Sequence, residues 1–82
     1  MKLFNIIVTK ELQVAGDTIR TCDVTGVDTL SAAKSGMKTI YDSFINDEYA
    51  IHDSRSLSDN YSWLVFKKEN VTYEVQLTKA LV

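Results

Sequence analysis

Eighty-two residues, 45% of them hydrophobic, make one domain (residues 1–82) with enough apolar material for a core and too much for a disordered tail. Eleven acidic against nine basic residues give a formal charge of −2, which excludes the strongly basic balance of a nucleic-acid binder and falls short of a DNA mimic. A single cysteine, Cys22, leaves no internal disulfide within these residues and suits a reducing cytosol.

Residues 2–14 read as a strand. Phe4, Ile6, Val8, Leu12 and Val14 share one parity, while Leu3 and Ile7 occupy the other, so the first half suits a central position in a sheet. Met1-Lys2-Leu3-Phe4 opens directly into this pattern rather than into a signal peptide. No apolar run approaches transmembrane length, so the expected location is cytoplasmic and without membrane contact. Ala15-Gly16-Asp17 is a turn, with Gly16 suited to positive φ. Residues 18–24 form a β-branched second strand, in which the opposite parities of Ile19 and Cys22/Val24 suggest a bulge. Gly26 serves the turn into the helix.

Asp28 or Thr29 caps a helix over residues 30–45. Leu30, Ala33, Met37, Ile40, Tyr41 and Phe44 trace one apolar stripe, with Lys34, Lys38 and Asp42 on the wet face and Lys38/Asp42 spaced to pair. Gly36 interrupts that helix at a cost of about 1 kcal/mol relative to alanine, which close approach to the sheet would justify. Asn46-Asp47-Glu48 ends the helix, residues 49–52 form a short strand continuing toward Leu57, and Ser58-Asp59-Asn60 is a turn. Asp42, Asp47, Glu48, Asp53 and Asp59 face only Arg55 and His52 as counter-charges; this region reads first as solvated loop and second as an anionic docking patch.

Residues 61–77 carry the strongest pattern. Val71, Tyr73, Val75 and Leu77 alternate with polar residues, and a Glu69-Asn70 turn sets Lys68 opposite Val71, Phe66 opposite Tyr73 and Leu64 opposite Val75. The other face of the first strand then holds Tyr61, Trp63 and Val65, where a singly covered sheet should be polar. Such a row asks for a partner: a loop of the chain itself, a second copy in a homodimer, or another protein. Residues 79–82 form a tail that extends the last strand. The resulting order is β-β-α-β-β-β: one antiparallel sheet of four to five strands with one amphipathic helix on one face, an α+β fold. Leu3, Ile7, Trp63 and Val65 collect on the uncovered side if the first and fourth strands are neighbours.

Catalytic chemistry finds little support. One histidine and one cysteine, without metal-ligand spacing, supply no zinc site from this chain. His52 and Asp53 are strand neighbours pointing to opposite faces, and Ser54 and Ser56 are ordinary loop hydroxyls. Cys22 reads as a small core residue. Three glycines make no phosphate loop, so no cofactor is expected and the chain reads as a non-enzyme. The sequons at Asn60 and Asn70 read as accidents of turn composition. Aromatics beside Lys67 and Lys68 resemble a base-stacking platform, but the net charge and Glu74 argue against nucleic acid.

Residues 28–40 and 61–77, with the helix opening Thr29-Leu30-Ser31-Ala32-Ala33-Lys34, the late strand Trp63-Leu64-Val65-Phe66-Lys67, a strand pair before and a closing strand after, resemble the layout of small phage anti-CRISPR proteins that inhibit type I-F surveillance complexes. The resemblance covers about half the chain. It implies a protein that occupies the nucleic-acid-binding surface of a Cas effector and blocks target DNA, with Lys34 at a docking position and Lys38 nearby. Residues 45–60 depart from the shortest members. Residues 27–33 and the helix after them are also similar to HicB-type antitoxins, though the acidic residue of that helix opening and an appended DNA-binding module are absent. The sequence therefore leads to an expected partner-binding set of Tyr61, Trp63, Val65, Lys67, Lys34 and Lys38. The alternative is a homo-oligomeric phage accessory or antitoxin-like regulator.

Overall fold

The computed structural model describes residues 3–58 and 61–80, the side chains of residues 56–58 excepted. The elements are β1 (Phe4–Val14), β2 (Asp17–Val27), α1 (Leu30–Asn46), β3 (Ala50–Ser58), β4 (Tyr61–Lys68) and β5 (Val71–Lys79). All strand pairs are antiparallel, in the order β2-β1-β5-β4-β3, and the helix packs on one face, an α+β fold. The expected turn at residues 58–60 and the tail at residues 79–82 fall partly outside the described residues; β3 runs through Ser58 and β5 ends at Lys79.

Alternation decides which side chains meet the helix. Phe4 and Ile6 on β1, Phe66 on β4, and Val75 and Leu77 on β5 are buried with Ala33 and Met37 of the helix. The Glu69-Asn70 turn gives the expected register, with Lys68 opposite Val71, Phe66 opposite Tyr73 and Leu64 opposite Val75. Asn70 ties this turn to β1: its Nδ2 donates to the Gln13 carbonyl at 2.7 Å and its own carbonyl accepts from Gln13 N–H at 3.0 Å.

The β1–β2 hairpin runs without a break from Val14/Asp17 to Phe4/Val27. The bulge suggested by the mixed parity of β2 is absent. Ile19 (52% exposed) and Val24 (60%) point to opposite faces of an edge strand, and neither belongs to the core. Gly26 lies within β2 opposite Asn5 rather than in the turn to the helix. The hairpin turn is Ala15-Gly16, at φ 49° and 87°, and Asp17 already belongs to the strand.

Thr29 caps α1, its hydroxyl accepting from the Ala32 N–H at 3.1 Å. At the far end, Glu48 takes φ 66°, and Tyr49 N–H donates to the Phe44 carbonyl at 3.0 Å. Phe44 stacks on Phe66 at 4.6 Å and tilts against Tyr73 at 4.7 Å, while Tyr49 meets Phe44 edge-on at 5.1 Å. Tyr49 thus precedes β3 and packs with these rings. Lys68 closes the corner by donating to the Asp47 carbonyl at 2.8 Å. The acidic stretch is therefore helix end and edge strand instead of loop, with Asp42 held by Lys38 at 3.1 Å. Its last member, Asp59, lies outside the described residues.

The helix of 17 residues is about 25 Å long, whereas strands of 11 residues span about 36 Å. It enters from the β2 edge and leaves into β3 on the opposite edge, crossing the sheet diagonally. Two corners of the face stay uncovered. One is a cleft of about 310 Å³ floored by Met37, Tyr41 and Leu64, with Ser54 and Ser62 beside it. The other carries Leu12 with its cross-strand neighbours Ile19 and Val71, and Val14 at 44% exposure.

Gly36 marks where the helix comes nearest the sheet. A Cβ there would sit 2.9 Å from Ile6 Cδ1. In Gly36→Ala the gain in helix propensity, about 1 kcal/mol, opposes a small displacement of one methyl, so its stability in urea should stay within about 1 kcal/mol of wild type. Gly36→Leu should lose roughly 2 kcal/mol or more, because a whole side chain must be driven into a packed core. By contrast Ala15→Asn should raise the midpoint of thermal unfolding, since asparagine tolerates the left-handed conformation that costs alanine about 1 kcal/mol.

Candidate functional site

The sheet face away from the helix is built by register. One row reads Arg55, Trp63, Gln76, Ile7, Val24 from β3 to β2; the next reads Asp53, Val65, Glu74, Thr9, Cys22. A third holds Lys67, Thr72, Glu11 and Arg20, with Arg20 Nε 3.2 Å from Glu11 Oε2. Tyr61 shares the face by alternation and is 43% exposed.

The β3–β4 end is where the aromatic surface lies. Arg55 places its guanidinium 5.3 Å from the centroid of the Trp63 ring, so the half-buried indole is flanked on one side and otherwise has no element packed over it among the described residues. A hollow of about 250 Å³ lies beside it, lined by Arg55, Tyr61, Trp63, Gln76 and Thr78. The cations Arg55, Lys67 and Arg20 are matched on this face by the anions Asp53, Glu74 and Glu11. Such a balanced surface suits another protein better than a phosphate backbone.

The expected binding residues do not form one site. Tyr61, Trp63 and Lys67 share the open face, but Val65 is only 7% exposed, a small side chain enclosed by Trp63, Lys67, Asp53 and Glu74 in register around it. Lys34 and Lys38 are exposed on the helix, on the other side of the sheet, where Lys38 pairs with Asp42. A flat partner therefore meets the aromatic set or the helix lysines, not both. β5 also separates β1 from β4, so Ile7 and Trp63 share a row with Gln76 between them and form no continuous apolar strip.

Cys22 is not a core residue: it is an exposed free thiol on β2, accepting from the Thr9 hydroxyl at 3.8 Å. His52 is exposed at a register shift of β3 between Ile51 and Asp53. Among the described residues no group of three or more His, Cys, Asp or Glu is placed to hold a metal, and no helix is long and apolar enough to cross a membrane. Arg55 is the contributor that pattern reading overlooked. Its signal was present, because reflecting the chain about the expected turn at residues 58–60 sets Arg55 opposite Trp63.

No protein-family model, curated protein or solved structure matches this chain.

Placement on an open face makes Trp63 dispensable for folding in a way that Phe66 is not. Trp63→Ala should cost clearly less in urea unfolding than Phe66→Ala, for which a loss of about 3–5 kcal/mol is expected from a fully buried ring.

Proposed function

We propose that the chain is a non-enzymatic inhibitor of the anti-CRISPR kind, binding a Cas effector complex and sterically blocking target DNA. The observation that supports a binding role is the open sheet face, where Trp63 and Tyr61 stand on one strand beside Arg55 and Lys67. Aromatic anchors with a guanidinium alongside are the usual centre of a protein interface, and display on a rigid strand lowers the ordering cost of association. Association takes place in the host cytoplasm, where a reduced Cys22 is expected. The choice of a Cas effector rests on the resemblance of residues 28–40 and 61–77 to small type I-F inhibitors.

The anchoring surface in this proposal is Tyr61, Trp63, Arg55 and Lys67. Lys34, the docking position implied by the resemblance, lies across the sheet and serves as the contrasting test. Target-DNA binding by purified surveillance complexes should weaken when the protein is added. Tyr61→Ala with Trp63→Ala should restore it, while Lys34→Glu should leave inhibition intact. Undiminished DNA affinity and cleavage across CRISPR types would remove the anti-CRISPR reading. Inhibition lost with Lys34→Glu but kept by the aromatic double variant would move the docking surface to the helix.

A second reading, a homo-oligomeric phage accessory or antitoxin-like regulator, is favoured by the outer edge of β2, with which no strand pairs among the described residues. Self-association without any effect on Cas complexes would support it.

A further inference from the structure

The two edges of the sheet differ in a way that the open face does not explain. β3 carries register shifts at Ile51/Asp53 and Ser56/Ser58, the kind of irregularity that blunts an edge against pairing. β2 has none. It runs for 11 residues in unbroken register with β1, contains neither proline nor lysine, and is exposed from Asp17 through Thr25. Among the described residues no strand pairs with its outer side.

The hydrogen-bond pattern identifies which groups that edge offers. Gln13, within β1, donates its N–H to the Asn70 carbonyl on the β5 side, so odd-numbered residues of β1 bond toward β5. Even-numbered residues of β1 then bond toward β2, where their partners are odd-numbered, as in Leu12 opposite Ile19. The backbone groups of Thr18, Arg20, Cys22, Val24 and Gly26 consequently point outward, unpaired by any strand among the described residues.

We propose that β2 is a homodimerisation edge, pairing antiparallel with β2 of a second copy about a twofold axis at Cys22, so that one sheet continues through both chains. This register overlaps the whole strand: Asp17 meets Val27 of the second copy, Thr18 meets Gly26, Ile19 meets Thr25, Arg20 meets Val24 and Thr21 meets Asp23. No like charges face one another. The two Asp23 carboxylates are diagonal, and each lies opposite a threonine hydroxyl able to donate to it. The outward groups of the two strands can form about ten backbone hydrogen bonds, the usual number for a specific interface. A second copy is favoured over an unrelated strand because the twofold register uses all eleven residues of β2 at once and sets no like charges opposite one another, as an isologous interface requires. Both helices fall on the same side of the joined sheet, and the Trp63 surfaces remain free at its outer ends. The inference is thus independent of what binds there.

The test is sedimentation of the reduced full chain across a wide concentration range, with variants at Val24. Wild type should dimerise. Val24→Pro should be monomeric with an unchanged far-ultraviolet spectrum, because the N–H removed is one that points out of the sheet. Val24→Lys sets a cation opposite Arg20 twice and should raise the dimer dissociation constant roughly tenfold; Val24→Glu should lower it. Should Val24→Pro fail to fold, the Lys/Glu pair decides. A wild-type chain that stays monomeric at its highest soluble concentration overturns the proposal. So does a dimer that shifts equally with Val24→Lys and Val24→Glu, or one dissociated by Trp63→Ala.

Discussion

One helix must cover a sheet that is both wider and longer than it is. That mismatch governs the rest of the molecule. The core forms where the diagonal helix touches the central strands: Gly36 lets the backbone down onto Ile6, and Ala33 and Met37 are buried with Phe66, Val75 and Leu77. Where the helix does not reach, apolar groups remain at two corners of its own face. The opposite face has no covering element among the described residues. The principal extents of 42 × 24 × 19 Å and a radius of gyration of 13.2 Å, against about 12 Å for a compact chain of this length, express the same incomplete coverage.

The open face handles this exposure in two ways. Away from Ile7 and Val24 most of its side chains are charged or polar, with Glu11 and Arg20 paired and Gln76 donating to Glu74 at 2.8 Å. Val65, in register between Asp53 and Glu74 and flanked along β4 by Trp63 and Lys67, is buried. Only at the β3–β4 end do Tyr61 and Trp63 present aromatic surface, partly flanked by Arg55. A stable monomer does not require an indole there, since the core closes on the other face. That contrast motivates the proposal of a partner.

Local periodicity was a sound guide to the elements and a poor guide to their neighbours. The β4–β5 register could be read because a two-residue turn fixes every pair from the turn outward. The helix stripe and the Lys38–Asp42 pair were legible for the same reason: the period of a helix is local. Strand order is set by long-range pairing, and nothing in residues 4–14 announces that β5 rather than β4 lies beside β1. The expected apolar strip from Ile7 to Trp63 was therefore interrupted. In β2, mixed parity was mistaken for a bulge and Cys22 for core, because an edge strand exposed on both faces need obey neither rule. The helix lysines and the aromatic row were grouped by resemblance; the sheet between them puts them on opposite sides of the molecule.

The central claim is that the protein's own fold leaves the indole at position 63 accessible from solvent. Acrylamide quenching of the intrinsic fluorescence tests it directly, because the chain has a single tryptophan. Native reduced protein should be quenched to a substantial fraction of the extent seen in urea, with emission to the red of a core indole. Blue-shifted emission that acrylamide fails to quench, at dilutions where the chain sediments as a monomer, would mean that the ring is sealed within its own fold and would contradict the account.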